Sequence, residues 1–260
     1  MQVARAFDGL RLPLNVYLPA RAPGPKLPII VNFHGGPSAS SAVRWNSFIR
    51  FFWALGYGVV EPNVRGSTGF GRAYEMADNR EKRANWLEDV RTVNEWVQAQ
   101  SWADAERLVV MGGSYGGYTT LMALTRQPLA WRAEVDLVGP ADLKQFLMTT
   151  DAGIRAGFIP EFGEVEKDAA LLERFSPMRD VGHIVRPLFV YAGQNDPRVP
   201  RSESDTIVRA LRRRGIPVEY MVAANEGHSM DGREVTVEFL ARVSRFLEDA
   251  LGATAPSPIH

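Results

Sequence analysis

Cysteine is absent from the 260 residues, which excludes a disulfide framework, thiolate zinc or iron–sulfur sites, and a cysteine nucleophile. An excess of either charge is also missing, because thirty Lys and Arg cancel thirty Asp and Glu. The chain therefore lacks the basic footprint that nucleic acid requires and the polybasic face that anionic lipid requires. No apolar run approaches the roughly 18 residues that span a bilayer. The opening Met1–Asp8 stretch lacks the apolar core of a signal peptide. Histidine is scarce, with only four in the chain. What remains, 45% hydrophobic and 23% charged, is the balance of an ordinary soluble globular protein. The expectation is a cytoplasmic chain with no metal, no cofactor and no nucleic-acid or membrane partner, forming one domain over residues 1–260.

Proline and glycine punctuate the chain, and there are no repeats. Leu18 to Pro28 carries four prolines and reads as a turn after an edge strand over Arg11–Leu18. Beyond it, short apolar runs alternate with longer amphipathic segments, the pattern of βαβ units around a parallel sheet. Strands are expected at Ile29–Phe33, Gly58–Pro62, Leu108–Met111, Ala133–Val138, Leu188–Tyr191 and Val218–Val222. Most are almost continuously apolar, as strands covered on both faces must be. Three-to-four spacing of apolar residues predicts helices over residues 84–100, Tyr118–Arg126, Ser202–Arg214 and Val235–Leu251. The tail from Ala253 should fray. Ala141–Arg179 is less regular and suggests helices over one end of the sheet. The fold class is α/β, a doubly wound, mostly parallel sheet with helices on both faces.

Gly112-Gly-Ser-Tyr-Gly-Gly117 follows the strand at Leu108–Met111 and opens the next helix. This is the setting of a nucleophile elbow, in which a strained turn lifts a serine hydroxyl above an α/β-hydrolase sheet. Ser114 is the candidate nucleophile. The N–H of Tyr115, at the helix start, is a candidate oxyanion donor. A serine hydroxyl needs a base. His260 ends the tail, and His183 suits a surface turn ahead of a strand. His228 lies in the loop after the last strand, where this fold delivers its histidine. The fold uses the order serine, acid, histidine, which offers two acids that each follow a strand: Asp196 and Asp142. Asp196 is favoured because its loop is one strand earlier than that of His228. Asp142 suits a helix N-cap better.

An oxyanion needs a second donor. His34-Gly-Gly-Pro37 closes the strand at Ile29–Phe33, and Gly36 N–H is the candidate, with Pro37 biasing Gly36 towards an extended backbone. Arg198, two residues beyond Asp196, borders the site. It is expected either in a structural ion pair, the safer reading, or against a substrate carboxylate. Gly66-Ser-Thr-Gly-Phe-Gly71 resembles a dinucleotide loop but has Thr68 where the second glycine belongs, so it is set aside. The charged run Asp78–Arg83 is most simply a solvated face.

Five motifs in order resemble one family: His34-Gly-Gly-Pro, Asn63-Val-Arg-Gly-Ser-Thr-Gly-Phe-Gly71, Gly112-Gly-Ser-Tyr-Gly-Gly-Tyr118, Asn195-Asp-Pro-Arg-Val-Pro200 and Glu226-Gly-His228. They are similar to the catalytic domain of the prolyl oligopeptidase family of serine peptidases, which includes acylaminoacyl and dipeptidyl peptidases. The resemblance covers roughly residues 5–250. It implies a peptidase-type α/β-hydrolase with Ser114, Asp196 and His228 as triad, and supports Gly36 and Tyr115 as oxyanion donors. Family members carry an N-terminal β-propeller that gates the site. Here the hydrolase pattern begins within the first residues, so these 260 residues are expected to lack that propeller, either as a free-standing hydrolase or as a piece of a longer chain. The expected substrate is a small peptide or ester. A dedicated carboxylesterase and a non-catalytic receptor on the same fold are the alternatives. A homo-oligomer is compatible with the sequence, which specifies no interface.

Overall fold

The computed structural model describes residues 1–20, 24 and 26–252. The tail expected to fray, His260 within it, and part of the Leu18–Pro28 turn lie outside the described residues. Eight strands form one sheet in the order β1-β2-β4-β3-β5-β6-β7-β8. They are β1 Gln2–Arg5, β2 Arg11–Tyr17, β3 Leu27–Phe33, β4 Gly58–Pro62, β5 Ala103–Gly113, β6 Ala133–Leu137, β7 Leu188–Gly193 and β8 Val218–Ala223. The first pairings, β1–β2 and β2–β4, are antiparallel; β4, β3 and β5 to β8 run parallel. All six strands expected from the apolar runs are present, along with the edge strand β2. The outermost strand, β1, is only four residues long and half exposed, too short for alternation to mark it.

Alternation along each inner strand distributes side chains to two faces. Ile29, Val31, Leu108 and Val110 pack against α3 (Arg83–Gln98) through Trp86, Val90, Val93 and Val97. Their neighbours Ile30, Val109 and Met111, with Phe189 of β7, pack on the other face. There they meet α1 (Ser47–Ala54) through Phe52 and α9 (Arg233–Leu251) through Phe239 and Val243. Between these, α4 (Tyr115–Arg126) and α8 (Ser202–Arg213) cover β7 on the α3 side, with Leu121 and Leu124 against Val190, Ile207 and Leu211. Helices therefore cover both faces, as expected.

One difference from the sequence reading has a physical cause. Helix α1 escapes the periodicity test because it has only eight residues. It is held by Asn46, whose side chain accepts the Phe48 and Ile49 N–H groups at 2.9 and 3.4 Å, a capping arrangement. The irregular stretch after β6 holds α5 (Leu143–Thr149), α6 (Ala152–Phe162) and α7 (Ala169–Arg174), followed by 3₁₀ turns over Pro177–His183. A four-residue helix, α2 (Arg72–Glu75), follows the Gly66–Gly71 loop. No helix among the described residues is long and apolar enough to cross a membrane.

Candidate active site

Ser114 stands between β5 and α4 at φ +57°, a backbone conformation costly for a residue with a side chain. The turn is so tight that a Cβ on Gly112 would overlap the backbone of Gly116, and one on Gly116 would overlap the Phe33 carbonyl. Only glycine fits at both positions. Parallel strands bring the loops after β3, β5, β7 and β8 to one edge of the sheet, where ligands bind in open α/β folds. The Ser114 hydroxyl lies 2.9 Å from His228 Nε2, and His228 Nδ1 lies 2.7 Å from Asp196 Oδ2. Asp196 is buried, and its Oδ1 accepts the backbone N–H groups of Arg198 and Val199 at 2.8 and 3.0 Å. The imidazole therefore donates from Nδ1 and presents Nε2 as an acceptor to the hydroxyl. The candidate nucleophile, base and orienting acid are all within hydrogen-bond reach.

Asp142 stands elsewhere. It caps α5, accepting the Lys144 and Gln145 N–H groups at 3.0 Å each. Gly36 departs from the extended backbone expected of it. Its φ is +133°, and a Cβ there would crowd the N–H groups of Ser38 and Ala39 at 3.0 and 3.1 Å. Gly36 lines a pocket of about 260 Å³ with Ser114, His228, Phe146, Phe158 and Val199. Neither the Gly36 nor the Tyr115 N–H donates to a protein acceptor among the described residues. Both are thus available to an oxyanion.

A profile of the prolyl oligopeptidase family matches residues 43–254. The chain belongs to this family. It is 36% identical over 235 residues to the dipeptidyl aminopeptidase BIII of Pseudoxanthomonas mexicana, covering 88% of this chain and 34% of that one. To the human acylamino-acid-releasing enzyme it is 29% identical, covering 88% of this chain and 32% of the relative. The chain thus spans about a third of the length of these curated relatives. Among solved structures, a puromycin-hydrolysing peptidase of Mycobacterium tuberculosis superposes over all of this chain and 40% of its own, with TM-score 0.91 and 27% identity. An acylaminoacyl peptidase in complex with a chloromethyl ketone gives TM-score 0.89 at 22% identity over 99% of this chain and 42% of its own, a likeness of fold.

Within this prolyl oligopeptidase-type site, several residues carry roles that sequence reasoning missed. His34 is half-buried, and desolvation lowers its pKa. Its Nδ1 lies 2.6 Å from the Gly35 carbonyl and its Nε2 2.8 Å from Ser67 Oγ. The Gly35 carbonyl and the Gly36 N–H belong to one planar peptide, so holding the first aims the second. The Gly66–Gly71 loop, set aside as a nucleotide site, is thus part of the scaffold beneath the oxyanion loop. Glu226, two residues before His228, accepts the Asp231 and Gly232 N–H groups at 2.9 Å each and ties the histidine loop closed.

The Asp78–Arg83 run is a solvated face only in its middle, where Glu81 and Lys82 are exposed. Asp78 and Arg83 are both fully buried beside Tyr115. Arg83 donates to the Tyr115 hydroxyl at 2.6 Å and pairs with Glu161 of α6, and the hydroxyl donates to Asp78 at 2.8 Å. The rings of Trp86, Tyr115, Tyr118 and Phe162 surround the guanidinium. Burial first, and then the Glu161 carboxylate, push the Asp78 carboxyl up to about 8. This cluster anchors α6, which supplies Ile154 and Phe158 to the pocket beside Ser114. Arg198 is likewise corrected. The ion pair taken as the safer reading is not formed with any described residue, and the exposed side chain lines the pocket with Ser114 and His228.

Asp136, under the elbow, accepts the Gly139 N–H at 2.9 Å through Oδ1, and its Oδ2 has no partner among the described residues. Burial raises its pKa from 3.8 to about 8. The folded state then keeps this proton in a pH range where the unfolded chain loses it. Stability is accordingly lost as pH rises from about 4 to about 8. Asp136→Asn removes the titration, so its urea midpoint relative to wild type should climb across that window and level off above it. A difference independent of pH would show that the folded carboxyl is ionised throughout.

Proposed function

We propose that this chain is a serine hydrolase that cleaves short peptide, acyl-amide or ester bonds through an acyl-enzyme. The observation that carries the reading is the continuous Ser114–His228–Asp196 hydrogen-bonded chain beside two uncommitted N–H groups. In this mechanism Ser114 Oγ attacks the substrate carbonyl while His228 Nε2 takes its proton. The Gly36 and Tyr115 N–H groups hold the oxyanion. The imidazolium then protonates the leaving group, and a water, deprotonated by the same imidazole, releases the acyl group. Asp196 keeps the imidazole in the required tautomer throughout. The substrate is a small peptide or ester. A chain of zero net charge has no electrostatic pull towards nucleic acid or anionic membranes.

The pocket beside Ser114 is the acyl pocket of this proposal, and Arg198 belongs to it as a substrate-binding group, supported by its free guanidinium in the pocket wall. A substrate carboxylate is the complementary partner. The ester alternative also has support, since the acyl pocket is small at about 260 Å³. Remote binding energy helps to cleave a poor leaving group, and this pocket offers little of it. The adjoining hollow of about 680 Å³, which shares Gly36, Ile154 and Phe158 with the acyl pocket, supplies more only to acyl groups long enough to reach past Phe158. For these 260 residues acting alone, kcat/KM for p-nitrophenyl acyl esters should therefore exceed that for the matched anilides, most of all with short acyl chains. Arg198→Met should raise KM selectively for substrates bearing a free carboxylate. Anilides and peptides cleaved as efficiently as the esters would instead establish a self-sufficient peptidase.

A further inference from the structure

We propose that a second hollow, across Ser114 from the acyl pocket, is the subsite for the leaving group and selects an apolar or aromatic residue directly after the scissile bond. The inference rests on the acyl-transfer reading above. The hollow measures about 230 Å³. Its walls are Gly113, Leu137, Val138, Tyr191 and Met230, and it shares only Ser114 and His228 with the acyl pocket.

This division follows from the chemistry. Gly35 and Gly36 line the acyl pocket and are absent from the second hollow. A carbonyl whose oxygen points at the Gly36 and Tyr115 N–H groups places its two substituents on either side of the attacking oxygen. The departing nitrogen must reach His228 Nε2 to be protonated. A hollow bounded by the nucleophile and the base, but by no part of the oxyanion loop, is the space left for that side of the substrate.

The lining sets the preference. Apart from His228 at its mouth, no ionisable group other than the Tyr191 phenol borders the hollow. An engineered apolar cavity of about 150 Å³ holds benzene, so this one admits an aromatic ring or a branched aliphatic side chain. Tyr191 is buried, and its hydroxyl lacks a partner among the described residues. Two backbone features keep the space open. A Cβ on Gly113 would meet only Leu137, at 3.9 and 4.0 Å, so a larger residue there would grow into unfilled room. Val138 sits at φ +50°, held by its N–H donating to the Tyr191 carbonyl at 3.0 Å. That conformation is an outlier for a β-branched residue, and strain of this kind persists where the surroundings over-determine it, commonly at functional sites.

The same subsite must bind an amine attacking in reverse, so wild-type protein suffices for the first test. The acyl-enzyme is formed from a p-nitrophenyl ester, and its partition between water and added amino-acid amides is measured. In the transfer, a C–N bond forms, the bond from carbon to Ser114 Oγ breaks, and the amine proton passes through His228 Nε2 to the serine oxygen. Phenylalaninamide and leucinamide should capture the acyl group about tenfold more efficiently than glycinamide, the scale of apolar-pocket discrimination. Aspartic-acid amide should do no better than glycinamide. Gly113→Leu and Met230→Trp should each bring the ratio of phenylalaninamide to glycinamide capture towards one. The second variant leaves the elbow sequence intact. Equal capture of all amides by wild type, or a ratio untouched by both variants, overturns the subsite. Failure of any acyl-enzyme to form overturns the acyl-transfer reading itself, and the subsite with it.

Discussion

Ser114→Ala should abolish covalent labelling by a fluorophosphonate probe and lower kcat by about 10⁶, the scale seen when a triad nucleophile is removed. The probe forms its bond only with an oxygen whose proton a base can take. Among the described residues, only the Ser114 hydroxyl lies against His228 Nε2, at 2.9 Å. Ser67 Oγ lies 2.8 Å from His34 Nε2 but is buried and donates to the Val64 carbonyl at 2.7 Å. Intact-mass analysis with peptide mapping should therefore place a single adduct on Ser114. An adduct that persists unchanged in Ser114→Ala would remove the nucleophile assignment. Wild-type protein that takes no label would favour a receptor that keeps the fold without the chemistry.

Asp196→Asn should cost about 10⁴ in kcat, the scale of the equivalent change in a serine-protease triad, and the hydrogen bonds here show why. Asp196 accepts three N–H groups: two from the backbone at Oδ1 and one from His228 at Oδ2. Asparagine has one acceptor oxygen. If it faces the Arg198 and Val199 N–H groups, the amide NH₂ faces His228 Nδ1. The ring must then accept at Nδ1 and carry its proton on Nε2, where it cannot take one from Ser114. Asp142→Asn should change kcat little, because the Lys144 and Gln145 N–H groups need only one oxygen and asparagine caps a helix about as well as aspartate. Steady-state kinetics on a p-nitrophenyl ester, with folding checked by circular dichroism, separates the two. A reversal of the two effects would move the acid to the loop after β6.

The triad was legible because each member directly follows an apolar run that reads as a buried strand. Parallel strands with helical crossovers deliver those ends to one edge whatever lies between them. The oxyanion loop was legible for the same reason, although the backbone angle of Gly36 was not. Local sequence reads Pro37 as favouring an extended neighbour, while in the fold Gly36 takes φ +133°, a conformation open to glycine, where a Cβ would crowd Ser38 and Ala39. Charge was the poorest guide. Asp78 and Arg83 look solvated because charged residues usually are. Their burial depends on Glu161, which lies 78 residues beyond Arg83 in the chain and meets it only once α6 has folded over the site.

By itself, then, the sequence determined the fold class, the inner strand positions, the elbow and the candidates for nucleophile, base and acid, since all of these rest on local periodicity and on glycines that no other residue can replace. The tertiary structure alone decided which charges are buried, that Arg198 stands free in the pocket wall, that His34 aims the oxyanion peptide, and that two hollows flank Ser114. Those properties depend on distances between residues far apart in the chain, such as the 114 residues that separate Ser114 from His228. Only the assembled sheet and its covering helices set such distances.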